Sequence, residues 1–320
     1  MDTDTSPARR RAPRRTLRRA SRSPLARVLT AAAAAGALVL LAGCAPSADS
    51  AGDGSSDQVV SAGGTAADAG ELVEVQALSP ASGPLVGGAT VTVTGSGFEA
   101  AEGVVFGSQP AAFEVVSDTE LVATTPASAD FVVGGVPVTV TLADGSTTTT
   151  GAEAYSYETK TGVDAEMAYA FAHWQDYNLD EWGVFSDNDC GNFVNQAMVA
   201  RGWTQSDDWY SDYATTGDYS LSWIRGNEMD DYYASRPDTT YLSDDQRSLV
   251  KIGDVAMFDW DPQTDNGVDH TMIVSKVETK PDGSISITLV GHTVDAQYRD
   301  LDNAITVENP GGSVHFWSIA

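Results

Sequence analysis

Asp187-Asn188-Asp189-Cys190-Gly191-Asn192-Phe193-Val194-Asn195-Gln196 is a polar run with turn chemistry that passes into a helical stretch. Phe193, Ala197, Met198 and Ala200 supply its apolar positions, and Gly202 closes it. Cys190 thus opens a helix, where unpaired backbone N–H groups and the positive end of the macrodipole favour a thiolate over a thiol. A lone cysteine is more often a small buried hydrophobe. The surrounding segments decide between these readings.

Upstream, residues 164–177 carry Met167, Ala170, Phe171 and Trp174 at i, i+3, i+4 and i+7, with Asp164 near the start, which predicts a helix. A further helix is expected over 222–233. Strand-like runs then occupy 254–260, 271–277, 284–290 and 314–319. Helices first and an antiparallel sheet after is an α+β layout, and the stretch 162–320 is long enough for one compact core.

A cysteine hydrolase needs a thiolate, an imidazole to pair with it, and a third polar group to fix the ring. His270 opens the apolar run Thr271-Met272-Ile273-Val274, and His292 follows Leu289-Val290-Gly291 at the end of the next run. The turn Lys280-Pro281-Asp282-Gly283 makes these runs antiparallel neighbours, which would bring His270 and His292 together. His173, beside the stripe of the first helix, and His315, before Phe316-Trp317, read as packing residues.

In order and context these blocks resemble the putative amidase domain family of Gram-positive cell-wall proteins, within the papain-like NlpC and CHAP cysteine hydrolases. The matching residues are Ala168-Tyr169-Ala170 with Trp174, Asp189 to Gln196, Trp209-Tyr210, Ser220-Leu221-Ser222-Trp223, Ile252-Gly253-Asp254-Val255, Asp269 to Val274, and Gly291-His292-Thr293. Gly191 and Asn195 stand where the family usually has Thr and Ser. The resemblance implies a papain-like α+β domain over 162–320 that cleaves amide bonds of peptidoglycan or cell-wall peptides through an acyl-enzyme, with no cofactor. Cys190 would be the nucleophile, a thiolate stabilised by the helix start and by His270. His270 would take its proton and return it to the leaving amine. His292 would orient His270, with Asp295 the alternative for that role, and the Cys190 backbone N–H with a neighbouring donor would form the oxyanion hole.

Residues 71–158 have a different texture, with short alternating runs over 89–94, 112–116, 120–124 and 136–142 separated by Gly, Pro and Asp turns. Such spacing predicts a small all-β sandwich. Leu78-Ser79-Pro80-Ala81-Ser82-Gly83-Pro84, Gly87-Gly88, Val93-Thr94-Gly95-Ser96-Gly97-Phe98 and Val104-Val105-Phe106-Gly107 resemble the IPT/TIG immunoglobulin-like family. That resemblance implies a spacer or binding module. It also supplies a second reading of the whole chain: an inactive surface-binding lipoprotein in which the sandwich carries the function.

The N-terminus reads as an export signal. Nine arginines between Arg9 and Arg27 precede the apolar run 28–42, which is short for a membrane span and ends in Leu41-Ala42-Gly43-Cys44. These four residues resemble a bacterial lipobox. The resemblance implies removal of 1–43, lipid attachment at Cys44, a flexible linker over 44–70, and anchoring at the outer face of the cell membrane. Cleavage would leave 9 basic against 43 acidic residues, a formal balance of −34 compared with −27 for the full chain. Such acidity argues against a nucleic-acid partner. With Cys44 lipidated, Cys190 has no disulfide partner.

Two weaker signals remain. Asp259, Asp261, Asp265, Asn266 and Asp269 are oxygen donors without the spacing of a calcium loop, and no Cys/His spacing for zinc is present, so no metal is expected. Of Trp203, Trp209, Tyr210, Tyr213, Tyr219, Trp223, Tyr232 and Tyr233, two or three are expected to line a substrate groove and the rest to pack.

Overall fold

The computed structural model describes residues 73–151, 154–186, 188–264 and 266–320. The signal and linker readings, the lipobox Cys44, Asp187 and Asp265 lie outside the described residues.

Alternation builds the first domain. Its strands are β1 (Glu74–Ser79), β2 (Ser82–Pro84), β3 (Thr90–Ser96), β4 (Ala101–Phe106), β5 (Gln109–Ser117), β6 (Glu120–Thr124), β7 (Gly134–Val136), β8 (Val138–Leu142), β9 (Thr147–Thr149) and β10 (Tyr155–Glu158). They form one sheet in the order β1-β3-β6-β5-β4-β8-β9 and another in the order β2-β10-β7. In β3, Val91 and Val93 are buried while the threonines between them face outward. The run 136–142 is divided at Pro137, which has no N–H for a ladder. Phe106 stands edge-on to Tyr155 at 5.0 Å in the core.

The second domain is mixed α/β. Its elements are α1 (Gly162–His173), α2 (Leu179–Trp182), α3 (Cys190–Arg201), β11 (Ser211–Asp212), α4 (Tyr213–Thr216), β12 (Asp218–Tyr219), α5 (Leu221–Ile224), α6 (Gly226–Ser235), β13 (Thr239–Ser243), β14 (Val255–Asp259), β15 (His270–Thr279), β16 (Ile285–Gly291), β17 (Ala296–Asp300), α7 (Leu301–Asn303) and β18 (Ser313–Ile319). An antiparallel sheet runs in the order β13-β18-β14-β15-β16-β17. Because side chains alternate, Val255, Met257, Ile273 and Val290 share one face with the apolar side of α3, including Phe193 and Ala197. Ala256, Phe258, Met272 and Leu289 face the other way, toward Leu301 and Ile305.

Two expected helices differ in extent. The one predicted over 164–177 ends at His173, after starting from a capping box between Thr161 and Asp164. The one predicted over 222–233 is broken at Arg225, whose backbone is extended (φ −103°, ψ 128°). Its N–H closes α5 on the Leu221 carbonyl (2.9 Å), and its carbonyl opens α6 by accepting from Met229 N (2.8 Å). A Cβ at Gly226 would lie 2.2 Å from the Val268 carbonyl oxygen, so glycine there lets the loop before β15 pack on the start of α6.

The two domains belong to one compact unit. Val86 N donates to Asp164 Oδ1 (2.9 Å), Phe131 packs on Phe171 (4.7 Å), and Asp130 Oδ1 accepts from Gln297 Nε2 (2.9 Å) and Tyr298 Oη (3.1 Å). Among the described residues, no helix is long and apolar enough to cross a membrane.

Candidate active site

Cys190 is the first residue of α3. The helical bonds begin with Phe193 N on the Asp189 carbonyl (2.9 Å), so the N–H groups of Cys190, Gly191 and Asn192 lie in the first turn, before that ladder begins. The thiol is 5% exposed, and Sγ donates to Asn188 Oδ1 at 3.5 Å. Burial pushes the thiol above its ordinary value, against the lowering pull of the Thr271 and Gly191 backbone N–H groups and the Thr293 hydroxyl; the Asp189 carboxylate adds to the rise. This corrects the expectation of a resting thiolate. The helix start is present, but desolvation outweighs it.

The two departures from the family pattern have physical reasons. A Cβ at Gly191 would sit 3.0 Å from the Trp223 carbonyl oxygen, so α3 packs close on α5 there. Asn195 donates to Trp223 O (2.8 Å) and accepts from Trp209 Nε1 (3.0 Å) and Tyr233 Oη (3.1 Å), a reach beyond a serine hydroxyl.

His270 opens β15 opposite Phe258 of β14. Its ring packs near Phe258 (6.0 Å) and stacks with Trp260 (5.7 Å, 28°). Nε2 is buried without a partner. Burial, and secondarily the Arg299 guanidinium, lowers the imidazole to about 4. Cys190 and His270 border one cleft of about 370 Å³, yet no hydrogen bond joins thiol and ring. Both groups are neutral near pH 7.

His292 does not meet His270. Its Nδ1 lies 2.6 Å from Asp189 Oδ2 and its Nε2 2.9 Å from the His173 carbonyl oxygen. Tyr177 stacks on the ring (3.8 Å, 14°) and Phe193 packs against it (4.1 Å). Antiparallel pairing does bring the two strand ends together, but the pleat sends alternate side chains to opposite faces. His270 follows Phe258 and Met272, whereas His292 follows Val290 toward the helices. Asp295 is also engaged elsewhere, accepting from Tyr177 Oη (2.6 Å). Asp189 is a site residue that the sequence pattern does not single out, and its place directly before Cys190 is the one local signal. Its Oδ1 accepts from Phe185 N (2.8 Å) and Asn192 Nδ2 (3.0 Å), and its N–H donates to Thr293 Oγ1 (3.2 Å).

The cleft is walled by Asn188, Cys190 and Gly191 on one side, Ile224 to Glu228 on another, and Val268 to Thr271 on the third. None of the aromatic residues expected in a groove lines it. Trp209, Trp223 and Tyr233 are fully buried and hydrogen-bonded to α3, and the two indoles pack together. His315 bonds Asp230 (2.8 Å), consistent with a packing role. The carboxylates of Asp259, Asp261 and Asp269 gather within 4.8 Å of one another beside the cleft.

Thr271 Oγ1 is buried with no partner, and such a hydroxyl costs about 1–3 kcal/mol of desolvation. Thr271→Val keeps the shape and removes that cost, so its denaturant midpoint should rise. A lower midpoint would show that the hydroxyl is hydrogen-bonded in solution.

A model of the putative amidase domain family matches residues 157–317, and an IPT/TIG domain model matches residues 74–157. No curated protein matches the chain. Among solved structures, the full extracellular region of plexin A4 is 29% identical over 28% of this chain and 8% of its own, with a TM-score of 0.26. An auxiliary nutrient binding protein from Bacteroides ovatus is 25% identical over 28% of this chain and 21% of its own, with a TM-score of 0.22. The chain thus spans less than a quarter of the length of either.

Proposed function

Because the chain belongs to the putative amidase domain family, we propose that it is a papain-like cysteine amidase or peptidase acting on peptidoglycan or its peptides. The observation that carries this reading is Cys190 itself, a free thiol at the start of α3 that borders a cleft shared with His270. The proton of Sγ passes to His270 as sulfur attacks the carbonyl carbon. No hydrogen bond joins thiol and ring at rest, so pairing the two is a step of the cycle. Backbone N–H groups of the first turn of α3 stabilise the oxyanion. The tetrahedral intermediate expels the amine, which takes the proton from His270, and water then releases the acyl group from sulfur. His292 serves through Asp189 rather than through His270. We further propose that Cys44 anchors the protein by lipid at the outer face of the membrane.

Digestion of purified peptidoglycan, with new amino and carboxyl termini identified by mass spectrometry, tests this function. Absence of new termini would favour the second reading, a surface-binding lipoprotein working through the IPT/TIG sandwich. The buried thiol, with no hydrogen bond to an imidazole, is the observation on that side.

The active protonation state is neutral imidazole with thiol, or its proton-transferred equivalent. Protonation of His270 removes it below about pH 4. The acid limb of kcat/KM should therefore fall near pH 4, not near the ordinary histidine value of about 6.5. A depressed histidine also lets the unfolded chain bind the proton first, so stability falls as pH drops from 6.5 to about 4. The profile is to be read at temperatures where the fold persists throughout. An acid limb at 6 or above would show that His270 is not the base in this environment.

A further inference from the structure

We propose that Arg225 makes this cleft a site for substrates carrying a free carboxylate close to the scissile amide, an inference that rests on the hydrolase reading above. Arg225 is the one lysine or arginine among the residues that line the cleft with Cys190. Its backbone is fixed at the junction of α5 and α6, while its side chain is 59% exposed. Its ion-pair partner is Glu228, at 3.4 Å and three residues on, the longest separation among the ion pairs of the described residues. By contrast, Arg201, Arg236 and Arg247 hold carboxylates at 2.6 Å. An exposed pair of this kind contributes little, so Glu228 leaves the guanidinium fork open to a second carboxylate.

The surroundings point the same way. No side chain caps α6, whose first residues, Gly226 to Glu228, line the cleft beside Arg225. Across from them lie two side chains more than nine-tenths buried with unpartnered polar atoms, Thr271 Oγ1 and His270 Nε2. Polar groups without protein partners in two lining residues suit the cleft to a polar ligand rather than an apolar one. The chain carries a formal charge of −27, which repels anions. That field is screened beyond about 8 Å in physiological salt, which leaves the cleft's own charges, Arg225 against Glu228 and Asp269, to decide whether a carboxylate is held. Arginine matches a carboxylate with two parallel N–H groups, which a carboxamide cannot accept equally.

The test separates recognition from turnover. Calorimetric binding to the Cys190→Ala protein is measured with the stem tetrapeptide of peptidoglycan, its carboxylates free in one preparation and converted to carboxamides in the other. The free acid should bind at least about tenfold more tightly, the scale of a charge-assisted hydrogen bond. Adding Arg225→Gln should weaken the acid form alone and erase the difference, whereas Glu228→Gln should strengthen the acid form. Equal affinity for both forms, or an equal loss of both on Arg225→Gln, overturns the carboxylate subsite and leaves the hydrolase reading standing. Absence of binding by either form, with no cleavage of peptidoglycan by the native protein, removes both.

Discussion

Cys190→Ala should abolish the release of new termini from peptidoglycan while the protein stays folded. Loss of a nucleophile that acts with its base as a unit lowers turnover by about 10⁴-fold or more, because the remaining binding groups cannot supply the covalent step. The structural cost is small by comparison. The substitution removes one buried sulfur from a site where the thiol touches Asn188 and the ends of β15 and β16, and a cavity of that size costs about 1 kcal/mol. Circular dichroism and thermal melting should therefore show an intact fold in the inactive protein. Cys190→Ser keeps the volume and should be as inactive. If either variant cleaved at the native rate, the nucleophile would have to be sought elsewhere. Alkylation adds an independent reading: with the thiol raised by burial, iodoacetamide should react slowly at neutral pH and faster as pH rises.

How much of this site was legible in the sequence differs from residue to residue. The start of α3 and the strand opened by His270 follow from local pattern, a polar run turning into helical periodicity and a polar loop turning into an apolar run. The sandwich strands follow from alternation in the same way. The direction of the His270 ring was not legible, because it depends on register against β14, and one residue of register exchanges the faces of a strand. Proximity of strand ends follows from the turn at 280–283, but proximity of side chains does not follow from it. The partners of His292 lie 103 and 119 residues away in the chain, and no local signal names them.

The helix start at Cys190 is a related case. Macrodipole and free N–H groups are local properties and could be read, but the surroundings of the sulfur are set by the start of β15 and the Thr293 hydroxyl, distant in the chain. The aromatic residues between 203 and 233 likewise suggested a groove by composition. Asn192 and Asn195 instead draw Trp209, Trp223 and Tyr233 into hydrogen bonds with α3, which places them inside. Strands β13 and β17 are not legible because Thr-Thr-Tyr-Leu-Ser and Ala-Gln-Tyr-Arg-Asp have too little alternation to stand out, and pairing with β18 and β16 is what makes them strands.

Asp189→Ala should destabilise the protein more than any other single change at the site. Both ring nitrogens of His292 have oxygen partners, the Asp189 carboxylate and the His173 carbonyl. Asp189 and His292 are 3% and 1% exposed. Removing the carboxylate leaves a buried donor without its partner and strips acceptors from Phe185 N and Asn192 Nδ2, a loss of about 3–5 kcal/mol by analogy with broken buried pairs. Asp189→Asn retains an acceptor for Phe185 N and should lose less. Pairing Asp189→Ala with His292→Phe removes both members of the contact, so the double variant should be more stable than the sum of the two single losses, a coupling read by a double-mutant cycle in urea. Because Asp189 precedes the nucleophile and is tied to Thr293 beside the sulfur, kcat of the folded Asn variant should fall with KM little changed. Additive stability losses, or a native kcat in Asp189→Asn, would reduce the pair to ordinary packing with no part in holding Cys190.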